Sequence, residues 1–74
     1  MIGSKRMILE SLINKPVAIC IYESTIRIKT VDSDEVGGCS YIEDVGHDMI
    51  LVNSFNRKRE YYSIDSITEI VIDN

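Results

Sequence analysis

Few side chains in this sequence of 74 residues could do chemistry, and their spacing decides what that chemistry would be. His47 is the single histidine, and it stands between Gly46 and Asp48. Nucleophilic catalysis asks for a serine or cysteine beside a base, with a third group orienting that base. A lone histidine in a glycine turn meets neither demand, so a solvated turn residue and no catalytic residue are expected. The carboxylates Asp32, Asp34 and Glu35, with Glu43, Asp44 and Asp48 further on, raise calcium binding as a question. Calcium takes about six to eight converging oxygens, and the 32–35 spacing lacks the alternation of a calcium loop. A solvated, self-repelling acidic loop is the reading, with no metal and no cofactor. Cys20 and Cys39 are too few for a disulfide framework and lack zinc-site spacing. Cys20 lies within Val17-Ala18-Ile19-Cys20-Ile21 and reads as a small buried side chain.

Binding offers sharper candidates. Arg57-Lys58-Arg59 follows Phe55 and Asn56, and a basic loop tip beside an aromatic ring can grip phosphate and stack a base. Lys5 and Arg6 would extend that patch if folding brought them near. The plainer reading is an exposed hairpin loop whose charges keep the adjoining strand from pairing with others. A net charge of −4 argues against a protein that coats nucleic acid, although a local basic patch is compatible with it. Tyr22, Tyr41, Tyr61 and Tyr62 form an interface set, since tyrosine is enriched where contacts carry energy. Tyr61 and Tyr62 are adjacent, so on a strand they must point to opposite faces. For Tyr22 and Tyr41 burial is at least as good a reading.

These residues need elements to position them. Ser4 suits an N-cap, and Lys5 to Ile13 reads as a short helix with Ile8, Leu9, Leu12 and Ile13 toward the core. Asn14 tolerates a left-handed backbone and Pro16 blocks continuation. From Pro16 the apolar period becomes two: Val17, Ile19 and Ile21, then Ile26 and Ile28 against Arg27 and Lys29. The parity shifts at Glu23-Ser24. A tight hairpin there would pair Ile21 with Ile26 and Ile19 with Ile28, whereas a bulge would let one long strand continue. Glu-Ser is poor chemistry for a two-residue turn, which favours the bulged strand. Asp32 to Gly38 is a loop, and Cys39–Val45, Met49–Asn53, Arg59–Ile64 and Thr68–Ile72 are strands, with Asp65-Ser66 a tight turn.

Residues 1–74 therefore form one mostly-β domain: an N-terminal helix over about 4–13 and a bent, five-stranded antiparallel barrel within 16–72. With 45% hydrophobic and 27% charged residues the chain is globular in composition, and a single alanine beside abundant isoleucine favours strands. A chain this short buries only about 60% of its unfolded surface, and without disulfide or metal it gains from subunit association. A homo-oligomer is expected, with a protein partner as a further option. No leader follows Lys5-Arg6, and no run reaches the roughly 20 apolar residues of a membrane span. A cytoplasmic, reducing setting follows.

The layout resembles the Sm-like small-barrel superfamily, which includes the bacterial Hfq-type RNA chaperones. Ser4–Ile13 leading into Pro16-Val17-Ala18-Ile19-Cys20-Ile21 is similar to that family's helix and first strand. Gly46-His47-Asp48-Met49-Ile50-Leu51-Val52 looks like its turn and third strand. Tyr62-Ser63-Ile64-Asp65-Ser66-Ile67-Thr68-Glu69-Ile70 resembles its last segment, which implies a one-turn helix between two strands. Asp44-Val45-Gly46 with Ile50, Val52, Ile64, Ile67 and Ile70 is also similar to short SH3-like barrel proteins of Gram-positive bacteria. The family's RNA sites use Asp-x-aromatic-x-Asn and a later Arg-Gly, or Tyr-Lys-His. Here Asp48, Ile50 and Val52 occupy the first segment, there is no Arg-Gly, and Tyr62-Ser63-Ile64-Asp65 replaces the third. The resemblance thus implies a fold more than an activity. What the chain implies overall is a non-enzymatic interaction or assembly module, with RNA or single-stranded nucleic-acid binding through the basic loop as the alternative.

Overall fold

A computed structural model describes residues 2–32, 39–54 and 58–72, with side chains from residue 4 onward. The helix α1 spans Ile2–Ser11, so Ser4 lies inside it and does not cap it. It also ends two residues earlier than the apolar pattern suggests. Leu12 and Ile13 donate back three residues, to Leu9 and Glu10, which tightens the last turn. Asn14 then takes the left-handed conformation at φ 67°, as its side chain tolerates. Its N–H bonds the Ile42 carbonyl at 3.1 Å, pinning the helix exit to the sheet.

Among the described residues six strands follow: β1 Pro16–Tyr22, β2 Thr25–Thr30, β3 Ser40–Val45, β4 Met49–Asn53, β5 Arg59–Ser63 and β6 Ile67–Val71. A single 3-10 turn, Ile64–Ser66, joins the last two, where a one-turn helix was implied. The expected five-stranded antiparallel barrel is corrected in both number and direction. The sheet is mixed and open, ordered β5-β4-β3-β1-β2-β6, with β6 parallel to β2. The extra strand comes from Glu23-Ser24, which is a hairpin turn and not a bulge: Tyr22 pairs with Thr25, Ile21 with Ile26 and Ile19 with Ile28. Glu23 takes φ 56° there. A positive φ at the first turn residue alone is the sign pattern of a type II′ turn, normally given to glycine. Twist matching across the hairpin overrode the local preference of glutamate.

The connection between β5 and β6 forces the sheet to curl. Laid flat, six strands about 4.8 Å apart would hold their outer strands roughly 24 Å apart. Ser63 and Ile67 are four Cα steps apart, at most about 15 Å. The two edges therefore bend toward each other around one core. That core is Leu9, Leu12, Val17, Ile26, Ile28, Ile42, Val45, Ile50, Val52, Ile64 and Ile67, with Ile13, Ile19, Tyr62 and Ile70 packed against it. Helix α1 supplies Leu9 and Leu12 to it, at 0% and 2% exposure. Ile8, expected in that stripe, is 39% exposed, because α1 covers the sheet with too narrow a face to bury it. True bulges exist at Glu43 in β3, the extra residue between the Ile42–Val52 and Asp44–Leu51 pairs, and at Thr68 in β6, the extra residue between the Ile26–Ile67 and Arg27–Glu69 pairs.

Candidate functional site

Alternation sorts the candidates onto surfaces. On β5, Tyr62 is half-buried against the core and Tyr61 is 67% exposed, as two adjacent strand residues must be. Burial and the neighbouring Glu60 carboxylate raise the Tyr62 phenol above its usual pKa. Tyr61 pairs across the ladder with Leu51, and Met49 with Ser63, so an apolar strip lies along the outer face of β4 and β5. Tyr41, paired with Asn53, shares that face. Its hydroxyl is hydrogen-bonded to the Cys39 side chain, which with the charge of that group and some desolvation raises its pKa. Tyr22 is 74% exposed beside the β1–β2 turn, so burial is overturned there. The hairpin tip runs past the edge of the core, which also leaves Ile21 exposed.

Cys20 is exposed, against the expectation of a buried thiol. Val17, Ile19 and Ile21 hold the inward parity, so Cys20 falls on the outer face opposite Arg27. There Ala18, Cys20, Arg27, Ile28, Lys29, Glu69 and Val71 line a shallow cleft of about 170 Å³. Arg27 and Glu69 form an ion pair across β2 and β6, in accord with their pairing in the ladder.

The basic candidates divide. Phe55 and Arg57 lie outside the described residues, as do Asp34 and Glu35 of the acidic loop. Lys58 is exposed at the base of the β4–β5 connection, where Ser54 donates to its carbonyl from both N–H (2.9 Å) and hydroxyl (3.2 Å). Arg59 begins β5, and its Nε meets Glu43 Oε2 at 3.0 Å. The β3 bulge turns that carboxylate toward the arginine, so Arg59 is charge-neutralised. Lys5 does not join them. Its Nζ donates to the Ile64 carbonyl at 3.1 Å, beyond the other end of β5 and roughly 16 Å of extended chain from Arg59. The structure thus separates Lys5 from the Lys58–Arg59 end. Arg6, half-buried, has its Nε enclosed without a hydrogen-bond partner among the described residues. His47 is exposed in the turn closed by the Gly46 N–H and the Met49 carbonyl at 2.7 Å.

Sequence reasoning passed over the edges of the sheet. No described strand pairs with the outer side of β5 or of β6. Beside β6, a groove of about 280 Å³ is lined by Lys5, Ile8, Ile67, Thr68, Glu69 and Ile70. Val71 and Ile72 at its end are 38% and 49% exposed. The signal was present in Ile67-Thr68-Glu69-Ile70-Val71-Ile72, which carries four apolar residues and no lysine or arginine. Reading the sheet as a closed barrel hid it.

Among the described residues, no group of three or more His, Cys, Asp or Glu side chains could hold a metal ion. No described helix is long and apolar enough to cross a membrane. Comparison with protein-family models, curated proteins and solved structures found no match to the chain.

Proposed function

We propose that this chain is a non-enzymatic assembly module, a small curled barrel of Sm-like or SH3-like type that associates with further copies of itself. The observation that carries the reading is the free sheet edge at β6, with exposed Val71 and Ile72 at its end and exposed Ile8 across the groove. Unpaired backbone N–H and C=O groups on a strand edge are a template for another chain. Chains of this length bury little surface alone, so covering such an edge adds stability that the isolated fold lacks. Light scattering across a concentration series tests it: mass should rise above that of one chain. A mass equal to one chain at high concentration overturns the proposal.

A second reading has its own support. Lys58 is exposed at the base of the β4–β5 connection and Tyr61 is exposed on the outer face of β5, where a base could stack near a cation. It expects RNA or single-stranded DNA binding that weakens steeply with salt, and loss of that binding in Arg57→Glu with Lys58→Glu. Unchanged binding in that variant, or none at low salt, removes this reading.

A further inference from the structure

The two free edges of the sheet are not equivalent, and the difference selects one mode of association. On β5, Arg59 and Glu60 are charged and exposed, and the Glu43 bulge holds Arg59 across β4. Charges on an edge strand are one device by which sheet edges are blunted; β6 has a bulge of its own at Thr68, and its pairing with β2 is regular from Glu69 to Val71. On β6, Glu69 is the only charged residue, and Arg27 holds it sideways along the sheet. Thr68 is polar but uncharged. Ile70, Val71 and Ile72 follow, and Ile8 of α1 faces the same groove as Ile70. The edges differ in charge: β5 carries two adjacent charged residues, and the regular run of β6 carries one, already paired with Arg27.

Resting on the proposal of self-association, we infer that the chain forms a closed, two-fold dimer through β6 paired antiparallel with β6 of a second copy. A single adhesive edge can be used only once per chain, so the contact is isologous and association stops at two. Joining β5 of one copy to β6 of the next would instead continue head to tail, and it would press Arg59 and Glu60 into the seam. Charge favours a particular register. Centring the two-fold on Ile70 sets Glu69 opposite Val71 of the second copy and Thr68 opposite its Ile72. Glu69 then never meets its own counterpart, and like charges directly opposite one another destabilise a ladder. The same pairing brings the two grooves together, so that Ile8, Ile70 and Ile72 of both copies leave water on one side. A standard interface takes about 800 Å² from each partner. That is about one seventh of the 5246 Å² of this chain.

The test uses the full chain and three variants at a series of concentrations, followed by sedimentation or native mass. Wild type should move from one chain mass to two and no further. Ile8→Lys with Val71→Lys should stay at one chain mass at about tenfold the concentration that half-dimerises wild type. Tyr61→Lys, on the exposed face of β5, should dimerise as wild type does. Circular dichroism checks that each variant is folded. If the double variant does not fold, amide exchange in the wild type decides: the edge-facing amides of β6 should slow at high concentration while the edge-facing amides of β5, outside the β4–β5 ladder, do not change. A wild type that remains monomeric overturns self-association and this inference together. Assemblies larger than two overturn the two-fold dimer alone. So does a dimer that survives the β6 substitutions, one lost in folded Tyr61→Lys, or concentration-dependent protection of the edge-facing β5 amides.

Discussion

Single residues hold two conformational and electrostatic strains that measurement can reach. Glu23 occupies φ 56° at the first position of a two-residue turn, a conformation in which glycine meets no Cβ penalty. Glu23→Gly should therefore stabilise the chain by up to about 1 kcal/mol despite the greater entropy of glycine in the unfolded state. Denaturant unfolding of the two proteins checks it, and a lower midpoint for Glu23→Gly would count against the strained turn. Tyr62 gives a pH dependence of known sign. Its folded pKa is raised above the ordinary value near 10, chiefly by burial, so the folded state holds the proton longer than the unfolded chain. Its contribution is then fully present below pH 10 and is lost as pH rises from there through the raised value. Tyr62→Phe should flatten that loss relative to wild type above about pH 10, where lysines titrate in both proteins alike. Parallel curves for the two proteins would remove Tyr62 as the cause.

At the scale of elements, the helix is held by what it buries and not by its own propensity. Ten residues are too few for a stable isolated helix in water, so α1 depends on Leu9 and Leu12 in the core and on its pinned exit at Asn14. Leu9→Ala should cost about 2–5 kcal/mol by removing buried surface and leaving a cavity, which chemical denaturation would read directly. The Glu43–Arg59 pair is largely exposed on its arginine side, and a double-mutant cycle should give no more than about 1 kcal/mol. Elements were also where the sequence was most and least legible. Alternation located the strands from β3 to β6 within a residue or two, and Asn14 and Pro16 marked the helix end. The Glu23-Ser24 hairpin ranks below the bulge on sequence because the turn residues argue locally, while the pairing of Ile19 with Ile28 is a property of both strands. Cys20 was misplaced by the apolar run around it, whose parity, not its composition, decides which side chains turn inward. The parallel β2–β6 pair left no local trace: Arg27 and Glu69, 42 residues apart, meet only once the sheet has curled. The same curl keeps Lys5 away from Arg59, which sequence proximity to other cations could not reveal.

At the scale of the whole molecule, the proposed pairing of β6 edges would make stability and concentration one question. Among the described residues a small core of eleven buried side chains must offset the ordering of the chain, and the β6 edge remains outside that core. Covering the edge with a second copy links folding to association, because the dimer draws on folded chain and not on unfolded chain. The midpoint of thermal unfolding should accordingly rise with protein concentration. For a dimer with a Kd well below the protein concentration, each tenfold increase adds about 1.4 kcal/mol per mole of dimer. In a small domain, that is a shift of several degrees shared between two chains. Ile8→Lys with Val71→Lys should unfold at a midpoint independent of concentration, since the free chain keeps its own core. Differential scanning calorimetry over a hundredfold range of concentration reads both curves. A midpoint for wild type that does not move over that range would separate the fold from any assembly and leave the β6 edge to a different partner.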